Sequence, residues 1–216
     1  HRFAVLIAAC NEEAVIGKLI DSIKAQSYPG KLVKIFVAAD NCTDATAEVA
    51  RSHGAEVYER YDMTQRGKGY ALDFLLREIK LLGHGRFDGY IVLDADNVLD
   101  RDFILHMNEA FSAGHDIVTC YRSSKNYGDN WISAGYALWF LRESRYLNGA
   151  RSRLGSSCGV SGTGFLFSQA VLDAQGGGWP FHLLTEDIEF TIDNVTRGMK
   201  VGYCPNAVVY DEQPIS

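Results

Sequence analysis

Proline and positive charge are both scarce in this chain. Four prolines in 216 residues, with no proline-, glycine- or serine-rich run, exclude a collagen-like or low-complexity chain and leave no linker. Lys and Arg number 21 against 27 Asp and Glu, a net charge of −6. That deficit argues against a nucleic-acid partner held through its phosphates and against binding anionic lipid through charge alone. The five cysteines (Cys10, Cys42, Cys120, Cys158 and Cys204) are odd in number and contain no C-x-x-C pair. This excludes a disulfide framework or a structural zinc site as the organising device and favours a reducing compartment. All five are expected to be small, buried, apolar residues. The six histidines show no H-E-x-x-H spacing, and His182 is expected in a loop rather than as a ligand. No run approaches the ~18 apolar residues of a membrane span. The longest, Trp131 to Leu141, is interrupted by Ser133. No signal-peptide pattern is visible, and the chain is expected to be an excised piece of a longer protein.

What is present is a chain that is 47% hydrophobic, enough to fill one sizeable core. Its first half alternates two periods. Continuous apolar runs at Phe3 to Ala9, Leu32 to Ala38, Ala55 to Glu59, Tyr90 to Leu93 and Asp116 to Tyr121 predict strands, the first buried on both faces. Between them, helical spacing predicts helices over Glu12 to Gln26, Ala45 to His53, Gly69 to Leu82 and Asp102 to Ala113. Strands alternating with helices imply a mostly parallel sheet with helices on both faces. Ligands of such sheets bind beyond the carboxyl ends of the strands. The polar clusters Asn11-Glu12-Glu13, Asp40-Asn41-Cys42-Thr43-Asp44 and Asp94-Ala95-Asp96-Asn97 end the first, second and fourth strands, so they are expected to converge on one site.

The second half predicts a long helix over Trp131 to Asn148 whose aromatics, Trp131, Tyr136, Trp139, Phe140 and Tyr146, mostly pack on the core. A glycine-rich turn, Gly159 to Gly164, then leads into a strand. An amphipathic helix follows, capped by Thr185 and ending near Arg197, and two closing strands span Lys200 to Cys204 and Ala207 to Tyr210.

Asp94-Ala95-Asp96 offers two carboxylates at the end of a buried strand, oxygen donors suited to a hard cation such as Mg²⁺ or Mn²⁺. Arg66-Gly67-Lys68-Gly69 at a helix start could approach a phosphate, although it lacks Walker spacing. No G-x-G-x-x-G follows the first strand, which excludes a dinucleotide enzyme of the usual kind. Taken singly, Thr185-Glu186-Asp187 is explained by capping and the helix dipole, and Gly162-Thr163-Gly164 by a turn.

In order along the chain, these motifs resemble family-2 glycosyltransferases. Ala8-Ala9-Cys10-Asn11-Glu12-Glu13 is similar to the opening N-E-E signature, Ala39 to Thr46 to the D-D-x-S-x-D-x-T segment, and Arg66 to Leu72 to G-K-x-x-A-L. Asp94-Ala95-Asp96, Gly162-Thr163-Gly164 and Thr185-Glu186-Asp187 complete the series, across Phe3 to Pro214. The resemblance is to the membrane-associated branch with cellulose, chitin and hyaluronan synthases. It implies a GT-A fold, Rossmann-like, with a nucleotide-sugar half over residues 1–121 and an acceptor and catalytic-base half over residues 122–216.

The resemblance also implies roles. Ala9, Asn11, Glu12 and Asp40 would hold uridine, and Lys68 would lie near the diphosphate. Asp94 and Ala95 would meet the nucleotide-sugar and Asp96 the Mg²⁺ or Mn²⁺ ion. Gly162, Thr163 and Gly164 would line the acceptor or donor-sugar pocket, and Asp187, with Glu186 beside it, would supply the general base. The expected partners are a UDP-sugar donor and a saccharide or lipid-linked acceptor, at the cytoplasmic face of a membrane reached through segments outside this chain. Asn41 and Cys42 depart from the family pattern, and a Q-x-x-R-W motif is expected beyond Pro214. Two other readings are a nucleotidylyltransferase, whose G-x-x-x-R opening is missing, and a non-catalytic nucleotide-sugar-binding module.

Overall fold

β1 (Phe3–Ala9) is buried along both faces, and its alternation splits the interior into two layers. Phe3, Val5 and Ile7 face Ile16, Leu19, Ile20 and Ile23 of α1 (Ile16–Lys24). Ala4 and Leu6 face Ala71, Leu72, Leu75, Leu76 and Ile79 of α3 (Lys68–Leu81). Burying both faces of one strand is what an unbroken apolar run requires, since neither face can be left in water. The computed structural model describes residues 1–215.

β2 (Val33–Asp40) and β4 (Gly89–Asp94) pair parallel with the two edges of β1, and β3 (Glu56–Arg60) pairs parallel outside β2. α2 (Thr46–Ser52) connects β2 to β3. The chain continues through β5 (Val98–Leu99), α4 (Phe103–Ser112) and β6 (Ile117–Ser124). Then follow α5 (Trp131–Leu141), a π-helical stretch Arg142–Asn148, α6 (Gly149–Arg153), β7 (Phe165–Ser168), α7 (Gln169–Ala174), α8 (Glu186–Thr196) and β8 (Val201–Asp211). All eight strands form one sheet in the order β3-β2-β1-β4-β7-β6-β8-β5. β7 runs antiparallel to β4 and β6, and β5 antiparallel to β8; the remaining pairs are parallel. The sheet is therefore a mostly parallel α/β sheet with helices on both faces, in which a strand from the second half sits at the centre.

Several expectations are corrected. α1 starts at Ile16 because Glu12 is used in a turn, its carbonyl accepting from the amides of Val15 and Ile16 at 3.1 and 3.0 Å. The two expected closing strands are one strand, β8, with a bulge opposite Cys120 and Tyr121 that leaves Pro205 and Asn206 exposed. β5 and α7 were not expected; each is too short to show a period.

The long helix runs on to Arg153. Its π-helical stretch turns Ser144 and Asn148 inward. There Ser144 Oγ accepts from Arg122 N at 3.2 Å, and Asn148 exchanges two hydrogen bonds with the backbone of Gly159 at 3.1 Å. The largest correction concerns this helix. Trp131, Tyr136, Trp139 and Tyr146 are exposed rather than packed on the core, and Ser133 is the one buried residue of α5. All five cysteines are free, but only four are buried; Cys10 is exposed. Among the described residues no helix is long and apolar enough to cross a membrane.

Candidate active site

The loops after β1 and β2 are bound to each other before either reaches a ligand. Asn11 and Asn41 follow these strands with φ of 58° and 54°, the left-handed region that asparagine tolerates better than most side chains. Asn11 Oδ1 accepts from Thr43 N at 2.7 Å, Glu13 Oε2 from Ala45 N at 2.8 Å, and Thr46 Oγ1 from Glu12 N at 2.7 Å. Asp44, not a cap residue of α2 by position, accepts from Thr46 N at 3.0 Å and from its hydroxyl at 2.5 Å. Asn41 in turn accepts from Asp62 N at 2.8 Å and donates to Asp40 at 3.1 Å. The asparagine that departs from the family pattern is thus the residue that makes the turn.

Between these loops and the end of β4 opens a cleft of about 750 Å³. Ala9, Glu12, Asp40, Lys68, Asp94, Ala95 and Asp96 line it, as do Cys10, Asn41 and Arg66. The three polar clusters therefore converge as the topology predicts. Asn11 is not on this wall, because its side chain is spent on Thr43. Burial, with Asp44 and Asp94 nearby, raises the Glu12 carboxyl above its usual range. Asp40 is buried and paired with Arg60 at 2.7 Å, and Arg60 also donates to Gln65 O at 2.8 Å. No motif identified Arg60, whose partner lies 20 residues away on the neighbouring strand.

Gly162, Thr163, Gly164, Glu186 and Asp187 also lie off the wall of this cleft. They stand immediately behind it and are joined to it through Lys68. The Lys68 ammonium donates to Asp94 Oδ1 at 2.5 Å and to Gly162 O at 2.7 Å, and lies 3.9 Å from Glu186 Oε1. Gly162 N donates to Asp187 Oδ2 at 2.6 Å, while Asp187 Oδ1 accepts from Ile188 N at 2.8 Å. Thr163 Oγ1 accepts from Asp94 N at 2.9 Å and donates to Asn97 Oδ1 at 2.5 Å. Thr185 stands at the N-cap position of α8 but makes no side-chain cap bond. His182 is in a loop, stacked on Tyr70 with ring centroids 4.3 Å apart.

Gly164 faces the interior instead of an open pocket. Its φ is 68°, and a Cβ there would stand 2.3 Å from Cys120 Sγ. Gly164→Ala is therefore expected to cost about 2 kcal/mol through left-handed strain and overpacking. Urea midpoints of variant and parent check this; equal midpoints would refute it.

The far wall of the cleft comes from residues the motifs did not mark: Arg122, Tyr136, Phe140, Asp211, Glu212, Gln213 and Pro214. Asp211 is buried and accepts from Arg122 Nε, Asn97 Nδ2 and Gln213 Nε2, each at 2.9 Å. Asp96 has Asn97 Nδ2 as a weak donor at 3.2 Å, and among the described residues no lysine or arginine pairs with its carboxylate. Lys125 reaches its backbone carbonyl instead, at 2.6 Å. Burial first, then Asp211 and Asp94, push the Asp96 carboxyl up to about 7.

A divalent cation fits this donor set. Asp94 has Lys68 and Asp211 has Arg122, whereas Asp96 is acidic, part-buried and short of positive charge. Among the described residues no three His, Cys, Asp or Glu side chains gather to hold a metal alone. Mg²⁺ or Mn²⁺ would thus rely on phosphate and water for most of its ligands, as these ions commonly do.

Fold and cleft together define a GT-A-type domain: a mostly parallel α/β sheet with an acidic cleft at its carboxyl edge. The chain belongs to the family described as glycosyltransferase like family 2, which it matches over residues 1–216, and it is a glycosyltransferase domain. It is 27% identical over 211 residues to a β-monoglucosyldiacylglycerol synthase of Synechocystis sp., a match covering 96% of this chain and 43% of that protein. Among solved structures it is similar to a mannosyltransferase of Pyrobaculum calidifontis in complex with GDP-Man and Mn²⁺. The TM-score there is 0.74 at 20% identity, over 97% of this chain and 56% of that one. It is also similar to S. aureus TarS 1-349 in complex with UDP-GlcNAc, with a TM-score of 0.71 at 17% identity, over 100% of this chain and 60% of that one. The chain thus spans about half the length of the proteins it matches.

Proposed function

We propose that this domain transfers a sugar, with inversion, from a UDP-sugar to the hydroxyl of a lipid or lipid-linked acceptor at the cytoplasmic face of a membrane, with Mg²⁺ or Mn²⁺. The observation that carries the reading is Lys68. One ammonium group links Asp94 on the nucleotide side to Gly162 and Glu186 on the acceptor side, so both halves are held in one register. The resemblance to cellulose, chitin and hyaluronan synthases supports membrane association. The name of the Synechocystis relative supports a lipid acceptor over a growing polysaccharide.

In this reading Ala9, Glu12 and Asp40 bind the nucleoside, while Asn11 acts indirectly by fixing the loop beside it. Asp96, with Asp94, would hold the metal, which when bound supplies positive charge to the diphosphate. Asp187 is the general base. Its two oxygens accept from Gly162 N and Ile188 N, which fixes the carboxylate, and each oxygen keeps a second lone pair for a proton. The acceptor oxygen attacks the anomeric carbon as its proton passes to the carboxylate. The bond to the diphosphate breaks, and its electron pair leaves with the nucleotide. Glu186 is the second candidate base: burial, opposed by Lys68, raises its carboxyl above the usual range.

Asp96→Ala is expected to weaken Mn²⁺-dependent UDP binding about thirtyfold, the loss of ~2 kcal/mol for one charge-assisted contact. Calorimetric titration with UDP, with and without Mn²⁺, reads this directly. Equal Mn²⁺-dependent affinities would remove Asp96 from the metal site. UDP release from UDP-sugars in the presence of diacylglycerol tests the reaction itself; absence of turnover with every donor would overturn it.

A further inference from the structure

α5 presents an apolar groove of about 520 Å³ on the outside of the molecule, lined by Trp131, Ile132, Gly135, Tyr136, Trp139 and Pro214. Tyr136 and Pro214 also line the cleft, so groove and cleft share a wall. The volume lies in the range of small-ligand sites. None of the six residues carries a charge, and the side-chain polar atoms are one hydroxyl and two indole nitrogens. Trp131 is 83% and Trp139 58% exposed, a large apolar area left in water next to a reaction site. The Arg142 guanidinium lies over the Trp139 ring at 5.4 Å, a cation close to the groove.

We propose that this groove takes an acyl chain of the acceptor, so that the acceptor's head-group hydroxyl enters the cleft past Tyr136. The proposal rests on the reading of the cleft as the transfer site. Two observations select an acyl chain over other occupants. A saccharide needs hydrogen-bond partners for each buried hydroxyl, and this lining offers almost none. The groove also opens directly into the cleft, so an occupant's polar end is delivered to Glu12, Lys68 and Asp94. The acyl chain positions the acceptor; it takes no part in the bond changes.

The three tryptophans make this testable by emission, because Trp131 and Trp139 line the groove while Trp179 is 1% exposed in the core. The probe is dodecyl maltoside brominated in its alkyl chain, below its micelle concentration, with maltose as control. Quenching of most of the Trp131 and Trp139 emission is expected with the brominated amphiphile and none with maltose. Gly135→Glu places a carboxylate in the groove where a Cβ meets nothing within 4 Å, so the fold should tolerate it. That variant should lose most of the quenching while keeping its thermal transition and its Mn²⁺-dependent UDP affinity. Gly135→Ala should quench like the parent. Absence of quenching in the parent overturns the proposal, whatever covers the groove. So does equal quenching in Gly135→Glu, or an emission change with maltose alone. Loss of UDP binding in the parent would instead overturn the reading of the cleft.

Discussion

Asp187→Asn is expected to lower sugar transfer by roughly 10²-fold or more while leaving Mn²⁺-dependent UDP affinity nearly unchanged. The substitution keeps the side chain's size and removes its ability to take a proton, and positioned general bases contribute effects of this order. The asparagine oxygen can serve one of the two backbone donors, Gly162 N or Ile188 N, so a stability loss of about 1 kcal/mol accompanies it. Glu186→Gln is the necessary comparison. It sits next in sequence, is more buried than Asp187 and faces Lys68, so a smaller fall in turnover is expected from it. Initial rates of UDP release and calorimetric UDP affinities on the same preparations decide. Near-parental turnover in Asp187→Asn would make that residue a brace for the Gly162 loop and leave Glu186 as the base.

Arg122→Met should destabilise the fold by about 3 kcal/mol or more, the usual consequence of leaving one member of a buried ion pair without its partner. Asp211 is buried, Arg122 holds it through two nitrogens, and Asn97 and Gln213 then remain as its only side-chain donors among the described residues. The effect should reach the site, since Asn97 also holds Thr163 and the backbone of Asp94. Arg122 also stacks on Phe140, 3.8 Å from its ring centroid, so the methionine keeps part of the apolar packing while the charge is lost. Denaturant midpoints and slopes for both proteins provide the measurement. A loss below about 1 kcal/mol, the range of exposed pairs, would show that water reaches Asp211 readily.

Much of the nucleotide side was legible because its signals are local. A strand buried on both faces reads as a continuous apolar run, and a helix packed on one side reads at a period of 3.6. Their alternation places the polar clusters after β1, β2 and β4 at one edge, and Glu12, Asp40, Asp94 and Asp96 meet there. The acceptor side was legible as motifs but not as geometry. Gly162 and Asp187 are 25 residues apart and meet through one hydrogen bond, and Lys68 reaches Gly162 across 94 residues. No period encodes such pairs. Arg60, Asn97, Arg122 and Asp211 were missed for the same reason: each is an ordinary polar residue until its distant partner is known.

The sequence by itself therefore determined the family, the parallel half of the sheet, its two-layered core and the edge at which ligands bind. Periodicity and strand-end chemistry are properties of neighbours along the chain, and they survive without knowledge of the fold. The tertiary structure alone decided that β7 enters antiparallel between β4 and β6, bringing the Gly162 loop beside Asp94. It alone decided that Asn11 and Glu13 brace the neighbouring loop while Glu12 faces the cleft. It also decided the fate of α5. A helix apolar on nearly every side reads as buried, yet this one lies outside the sheet with Trp131 and Trp139 in water. Whether an apolar helix is covered depends on what remains to pack against it, and the layers that bury β1 are already filled by α1 and α3.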